Sequence, residues 1–232
     1  MELIASVCIG IGLAAACGAR VFLPLFVLSI ASYLGLATPT ESFAFVASPW
    51  AVAALGVACV LELGAYYVPV IDHAVDVAGA PAAVLAGTLA TAANLHEAQP
   101  LVMWGSALIG GGGVALAVRS ATSSTRAVST VSTAGLGNSI LATVETVLAG
   151  LMAVLAVLLP IFAGVIVVLA LTAGAWIALR IRRARKARRA MGMDELDPGQ
   201  LDSGEQALDV FDSLEDARTA SEISRRRRRV VA

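Results

Sequence analysis

Apolar residues run along this chain in long blocks, and polar residues punctuate them at a few defined places. The first block extends from about Leu3 to Leu36 with one charge inside it, Arg20. About 20 apolar residues suffice to cross a bilayer, so a block of roughly 34 is too long for one straight span. Pro24 lies four residues after Arg20, and its ring clashes with the carbonyl of Arg20 in a continuous helix. Gly10, Gly12 and Gly18 weaken the first half further. The pattern predicts a kinked, tilted helix or two half-helices broken near Gly18–Pro24.

A polar loop follows over residues 37–48. Ser48-Pro49 then reads as an N-cap and the first helical residue. The second segment, 49–68, ends at Pro69, and the next loop, 70–80, holds Asp72, His73 and Asp76. Pro81 opens a third segment to about residue 95. Asn94, His96, Glu97 and Gln99 make a polar turn, and Pro100 opens a fourth segment to about 118 that contains Gly110–Gly113. Nine of the fourteen residues from Ser120 to Thr133 are Ser or Thr, which predicts a polar loop over 119–137. Gly135-Leu136-Gly137-Asn138 is a turn signal. The apolar stretch 139–179 is broken only by Glu145 and Pro160. As one helix it would be about 60 Å long, twice the hydrocarbon core, so a pair of helices turning near Pro160 is expected.

The expected fold class is therefore an all-α integral membrane protein. It has about six transmembrane helices with broken or kinked segments, or five plus a re-entrant pair, over residues 1–179. A charged, largely disordered cytoplasmic tail follows over 180–232.

Composition sharpens this picture. The chain of 232 residues is 58% hydrophobic and 14% charged, against about 25% charged in an ordinary soluble domain. Residues 1–179 carry three basic side chains (Arg20, Arg119, Arg126) and seven acidic ones; thirteen basic and ten acidic residues fall in the tail. This excludes an ordinary soluble globule, a disulfide scaffold and a disordered protein. Seven cations within residues 180–189 put that end on the cytoplasmic side of an inner (plasma) membrane by the positive-inside rule. Counting back through six spans puts the 119–126 segment and Met1 on the cytoplasmic side as well. The first segment has no basic leader and reads as retained. Cys8, Cys17 and Cys59 lie in apolar segments without metal-ligand spacing, so they read as small packing residues.

One internal similarity stands out. Gly12 to Arg20 and Gly111 to Arg119 are both small-residue stretches ending in arginine at the same distance. Each half later carries one carboxylate in an apolar segment, Glu62 and Glu145. In a six-span count the two stretches run in opposite senses, so the expectation is an inverted repeat of the kind that builds transporters.

The candidate chemistry lies at these polar positions. A mid-bilayer arginine costs at least about 2.5 kcal/mol, so Arg20 must face inward and find partners, either as an anion site or as an ion pair with Glu62 or Glu145. Glu62 and Tyr66 share a helix face near the carbonyl freed by Pro69. Asp72, His73 and Asp76 are neighbours at helical spacing. They suit an ion ligand set but lack a further ligand, so no metal site is assigned. Asn138 and Glu145 complete the ligand- or ion-binding candidates. Arg119 and Arg126 beside Ser and Thr hydroxyls are candidates for phosphate or lipid-headgroup contact. No nucleophile–base pair or zinc-protease pattern occurs, which points away from an enzyme and from a cofactor.

Gly12 to Leu25 with Arg20 and Pro24, Ser48-Pro49, Leu61-Glu62, Pro69-Val-Ile-Asp72-His73 with Asp76, and Gly135-Leu-Gly137-Asn138 with Glu145 together resemble an uncharacterised family of bacterial multi-pass inner-membrane proteins, a domain of unknown function. The resemblance covers about residues 5–165, implies a multi-pass membrane protein and implies no activity. The functional expectation is a small permease or channel for an ion or small anionic solute. The alternatives are a lipid-headgroup-binding protein or a membrane scaffold acting through its tail. The bilayer, anionic headgroups and a second copy are the candidate partners; nucleic acid is not.

Overall fold

Prolines set the boundaries of the helices. In the computed structural model, α3 (Pro49–Ala65), α4 (Pro69–Ala92), α5 (Pro100–Ser106) and α8 (Pro160–Ala190) all begin on proline. At a first helical position the missing N–H has no partner to lose, and the fixed φ suits the helix. Ser48 caps α3 as its sequence suggests, its hydroxyl accepting from the Ala51 N–H at 3.2 Å. The remaining elements are α1 (Glu2–Ala19), α2 (Phe22–Tyr33), a 3-10 turn at Glu41–Ala47, a π-helical stretch at Ala107–Gly112 that joins α5 to α6 (Gly113–Thr133), and α7 (Gly137–Leu158). The structure describes the backbone of residues 2–66, 69–96, 99–133 and 137–190, and the side chains of 3–66, 78–96, 99–130, 132 and 137–183. No strand occurs among them.

Three helical stretches are long and apolar enough to cross a membrane: Pro100–Thr130, Gly137–Leu158 and Pro160–Arg183. The 3-10 turn and α3, bent by 69°, make a fourth if taken as one span. The six spans expected from sequence are thus not confirmed. The shorter apolar helices Leu3–Ala19, Phe22–Tyr33 and Ala78–Ala92 account for the difference. The outer faces of α3 and α7 expose Val57, Val60, Leu61, Ile140, Leu148 and Leu151, while arginines and glutamates are buried inside. This inside-out distribution belongs to a protein whose surroundings are lipid.

Small residues let the helices approach closely. α1 is the central element and packs on α4, α6 and α7, and Leu13, Ala14, Ala16 and Cys17 are buried on it. A Cβ on Gly18 would sit 2.5 Å from the Ala115 carbonyl oxygen and 2.6 Å from Val118 Cβ, so the α1 and α6 backbones touch there. Gly12 meets Ala156 and Ala163, the two sides of the break that Pro160 makes between α7 and α8.

These contacts also give the helix directions. Gly10 of α1 and Gly111 of the π-helical stretch both abut Thr91 on α4, whereas Gly18 abuts Ala115 and Val118. α1 and the 111–119 stretch therefore run in the same sense. The expected inverted repeat is corrected to two parallel stretches. The starts of α1 and α6 also lie at one end of the bundle, contrary to the six-span count. The break at Arg20–Val21 is a reversal: the Thr40 N–H donates to the Ala93 carbonyl at 2.8 Å, so α2 returns the chain to the end it left at Gly10. α3 runs back again, since Gly56 meets Phe26 and Glu62 meets Val21.

Two expected loops are helices. Residues 70–80 belong to α4, which continues through Pro81. Residues 119–133 belong to α6, where the hydroxyls of Ser120, Ser124, Thr125 and Thr130 donate to carbonyls four residues back. That bonding satisfies a hydroxyl in apolar surroundings without water. The chain divides into two units, 1–174 and 175–232. In the second, Arg180 lies 5.2 Å from the Trp176 ring centre. The expected disordered tail, 191–232, lies outside the described residues.

Candidate functional site

The α1–α2 reversal leaves two helix ends facing one another, and each carries a charge of the matching sign. The α1 end presents carbonyl oxygens and partial negative charge, and the α2 start presents free N–H groups and partial positive charge. Arg20 lies at the first, with Nη1 donating to the Ala19 carbonyl at 3.3 Å. Glu62, brought by α3, lies at the second, its two oxygens accepting from the Val21 N–H at 2.6 Å and the Phe22 N–H at 2.9 Å. Glu62 thus acts as a cap supplied from another helix. Pro24, in the first turn of α2, loses no hydrogen bond there.

Arg20 reaches onward to α7. Its Nε donates to the Thr146 hydroxyl at 2.8 Å and its Nη2 to the Ala142 carbonyl at 2.7 Å. Nη1 lies 3.5 Å from Oε2 of Glu145. Of the two counter-charges considered from sequence, Glu145 forms the ion pair. The same carboxylate is gripped by Arg126 of α6, with Nε 3.1 Å from Oε2 and Nη2 on that oxygen as well.

Tyr66, at the end of α3, joins the three arginines. The guanidinium carbons of Arg20 and Arg126 lie 3.8 and 4.5 Å from its ring centre, within the range of cation–aromatic attraction. Its hydroxyl accepts from Arg119 Nη1 at 3.1 Å. Arg20, Arg119 and Arg126 are 1–2% exposed, Glu145 6% and Glu62 8%, so the whole network is closed to its surroundings. Gly79 of α4 makes room for it, because a Cβ there would overlap the Arg119 guanidinium.

The candidates named from sequence therefore separate into three groups. Arg20, Tyr66 and Glu145 meet in one network, and Glu62 caps α2 beside it. Arg119 and Arg126, expected at headgroups or phosphate, are buried in that network. Asn138 lies apart, its amide on α7 donating to the Thr130 hydroxyl on α6 at 2.9 Å. Asp72, His73 and Asp76 lie on α4 before Gly79, and their side chains fall outside the described residues. Sequence reasoning missed Thr146, the Ala142 carbonyl and Gly79. Thr146 alone carried a signal, as a polar residue beside Glu145 in an apolar helix. The two stretches of the internal similarity converge: Arg20 and Arg119 both end on Tyr66.

Such an arrangement can hold negative charge, as it holds the Glu145 carboxylate. Guanidinium forks match the two oxygens of a carboxylate or related oxyanion, and in low dielectric the attraction is strong. Among the described residues, no group of three or more His, Cys, Asp or Glu side chains is placed to hold a metal ion.

The model of the family described as a domain of unknown function, DUF4126, matches residues 7–180, and the chain belongs to that family. No curated protein and no solved structure matches the chain.

Proposed function

We propose that this membrane protein is a small permease or channel for a small anionic solute, and that the Arg20–Arg119–Arg126–Tyr66–Glu145 network is its point of anion recognition. The observation that carries this reading is the burial of three guanidiniums around one tyrosine and one carboxylate, at a reversal where helix ends open onto them. Ionisable groups inside an apolar bundle are costly and mark pathways more often than packing. Broken helices whose ends face a buried charge are how membrane transporters present backbone groups to a solute. The cytoplasmic side is assigned to the 180–189 cluster, and the inner membrane to the whole, on the charge bias alone.

A thermal-shift scan of the detergent-purified chain against anions, cations and anionic lipids tests the reading, with Arg20→Ala alongside. A ligand at a hundredfold excess over its dissociation constant adds about 2.7 kcal/mol of apparent stability. The expected result is a shift with a small oxyanion that Arg20→Ala loses. A shift with lipid alone favours headgroup binding instead, and no shift from any ligand, with a variant that simply melts earlier, favours a scaffold.

A further inference from the structure

We infer that Glu145 occupies, as a tethered carboxylate, the seat that the solute anion takes. The inference rests on the anion-recognition reading above and adds both the ligand class and the device that keeps the seat closed.

Three observations lead to it. The Glu145 carboxylate is held by Arg126, whose Nε and Nη2 both donate to Oε2 while Nε also lies 3.4 Å from Oε1. A second guanidinium, Arg20 Nη1, approaches the same oxygen at 3.5 Å from the break between α1 and α2. The rest of Arg20 is anchored independently of Glu145, by the Thr146 hydroxyl and the Ala142 and Ala19 carbonyls. Withdrawing the carboxylate therefore leaves Arg20 in place. Glu145 is carried on the regular helix α7, so its side chain leaves the seat by changing rotamer while the backbone stays.

The contacts made by Glu145 indicate the ligand. Arg126 and Arg20 converge on Oε2 and Arg126 Nε also reaches Oε1, so a carboxylate, bicarbonate or similar oxyanion can take up both positions, whereas a halide fills the first alone. In the closed state shown here, Glu145 competes with that anion from within the chain. If the seat is vacant about a tenth of the time, the apparent affinity of the intact protein is weakened about tenfold.

The test uses the full chain in detergent, as wild type, Glu145→Ala, Glu145→Gln and the double variant Glu145→Ala/Arg126→Gln. Sodium formate is the probe and sodium chloride at equal ionic strength the control. Glu145→Ala should melt below wild type, and formate should raise its melting temperature saturably while chloride does not. Calorimetry should show formate bound about tenfold more tightly than by wild type. The double variant should lose the response. Glu145→Gln keeps the shape of the side chain and carries the test if the alanine variant does not fold; it too should bind formate more tightly than wild type. Formate binding no tighter in either single variant than in wild type, or chloride acting as well as formate, overturns the inference. Formate uptake into proteoliposomes separates the two claims. Uptake by wild type without tighter binding in the variants leaves the permease reading standing and removes the seat. Tighter binding in the variants without uptake by any form keeps the seat and removes the permease.

Discussion

Replacing Glu62 separates two roles that a buried carboxylate can play. In the structure it accepts from the Val21 and Phe22 N–H groups at 2.6 and 2.9 Å, while the ion pair of Arg20 is made by Glu145. Glu62→Ala leaves two N–H groups at the helix start without an acceptor, the buried one of Val21 costing about 1–3 kcal/mol and the partly buried one of Phe22 less. Relief of the carboxylate's own desolvation offsets part of this, so the net loss is about 2–4 kcal/mol. Glu62→Gln keeps one acceptor oxygen against the same helix start and loses the charge assistance on the other, a cost of about 1–2 kcal/mol. If Glu62 acted instead as the counter-charge of Arg20, removing its charge would break a buried pair, and Gln would cost nearly as much as Ala, about 3–5 kcal/mol. Reversible unfolding against SDS mole fraction in mixed micelles measures both variants. Near-equal losses for Ala and Gln, or an alanine loss below about 0.5 kcal/mol, would refute the capping argument.

Other perturbations test separate parts of the account in the same assay. Gly18→Ala places a Cβ 2.5 Å from the Ala115 carbonyl oxygen, so α1 and α6 must part, at a cost of about 1–3 kcal/mol. Thr146→Val removes the acceptor of Arg20 Nε, 2.8 Å away, and should cost about 1.5–3 kcal/mol because the donor is charged. Combining Thr146→Val with Arg20→Ala should then cost clearly less than the sum of the two, since both remove the same bond. Removing residues 194–232 should leave anion-dependent stabilisation unchanged, as the network lies wholly within residues 20–146; loss of that response would favour a scaffold acting through its tail.

Much of this architecture could be read from the positions of proline and of the few charges. Pro49, Pro100 and Pro160 open helices where the sequence suggests, and Ser48 caps one of them. Arg20 with Pro24 marks a true break. What the pattern does not contain is direction. An apolar segment interrupted at Arg20 reads alike whether the chain continues or turns back, and only contacts such as Thr40 with Ala93 show the reversal. The same limit made the Gly12–Arg20 and Gly111–Arg119 stretches look inverted. Residues 119–133 read as a loop because Ser and Thr are poor helix formers in water. In apolar surroundings their hydroxyls turn to the carbonyls four residues back, and the helix continues. Residues 70–80 misled for a related reason: three titratable residues suggested solvent, yet α4 carries them from Pro69 through Pro81. The network itself was half legible. A charge in an apolar block announces that it needs a partner, but which partner is set by how α3, α6 and α7 surround α1.

The central proposal is that the buried guanidiniums of this membrane bundle serve an anion rather than only lock helices together. The most direct test is uptake of labelled formate into proteoliposomes by wild type and by Arg20→Lys. Lysine keeps the positive charge, but a single ammonium cannot reproduce the guanidinium's simultaneous contacts to Thr146, Ala142 and Glu145. The account predicts saturable uptake by wild type, little change when sodium replaces potassium, and a loss of about tenfold or more in the lysine variant, or about 1.4 kcal/mol of recognition. Uptake that follows the cation, or equal uptake by the two forms, would contradict it.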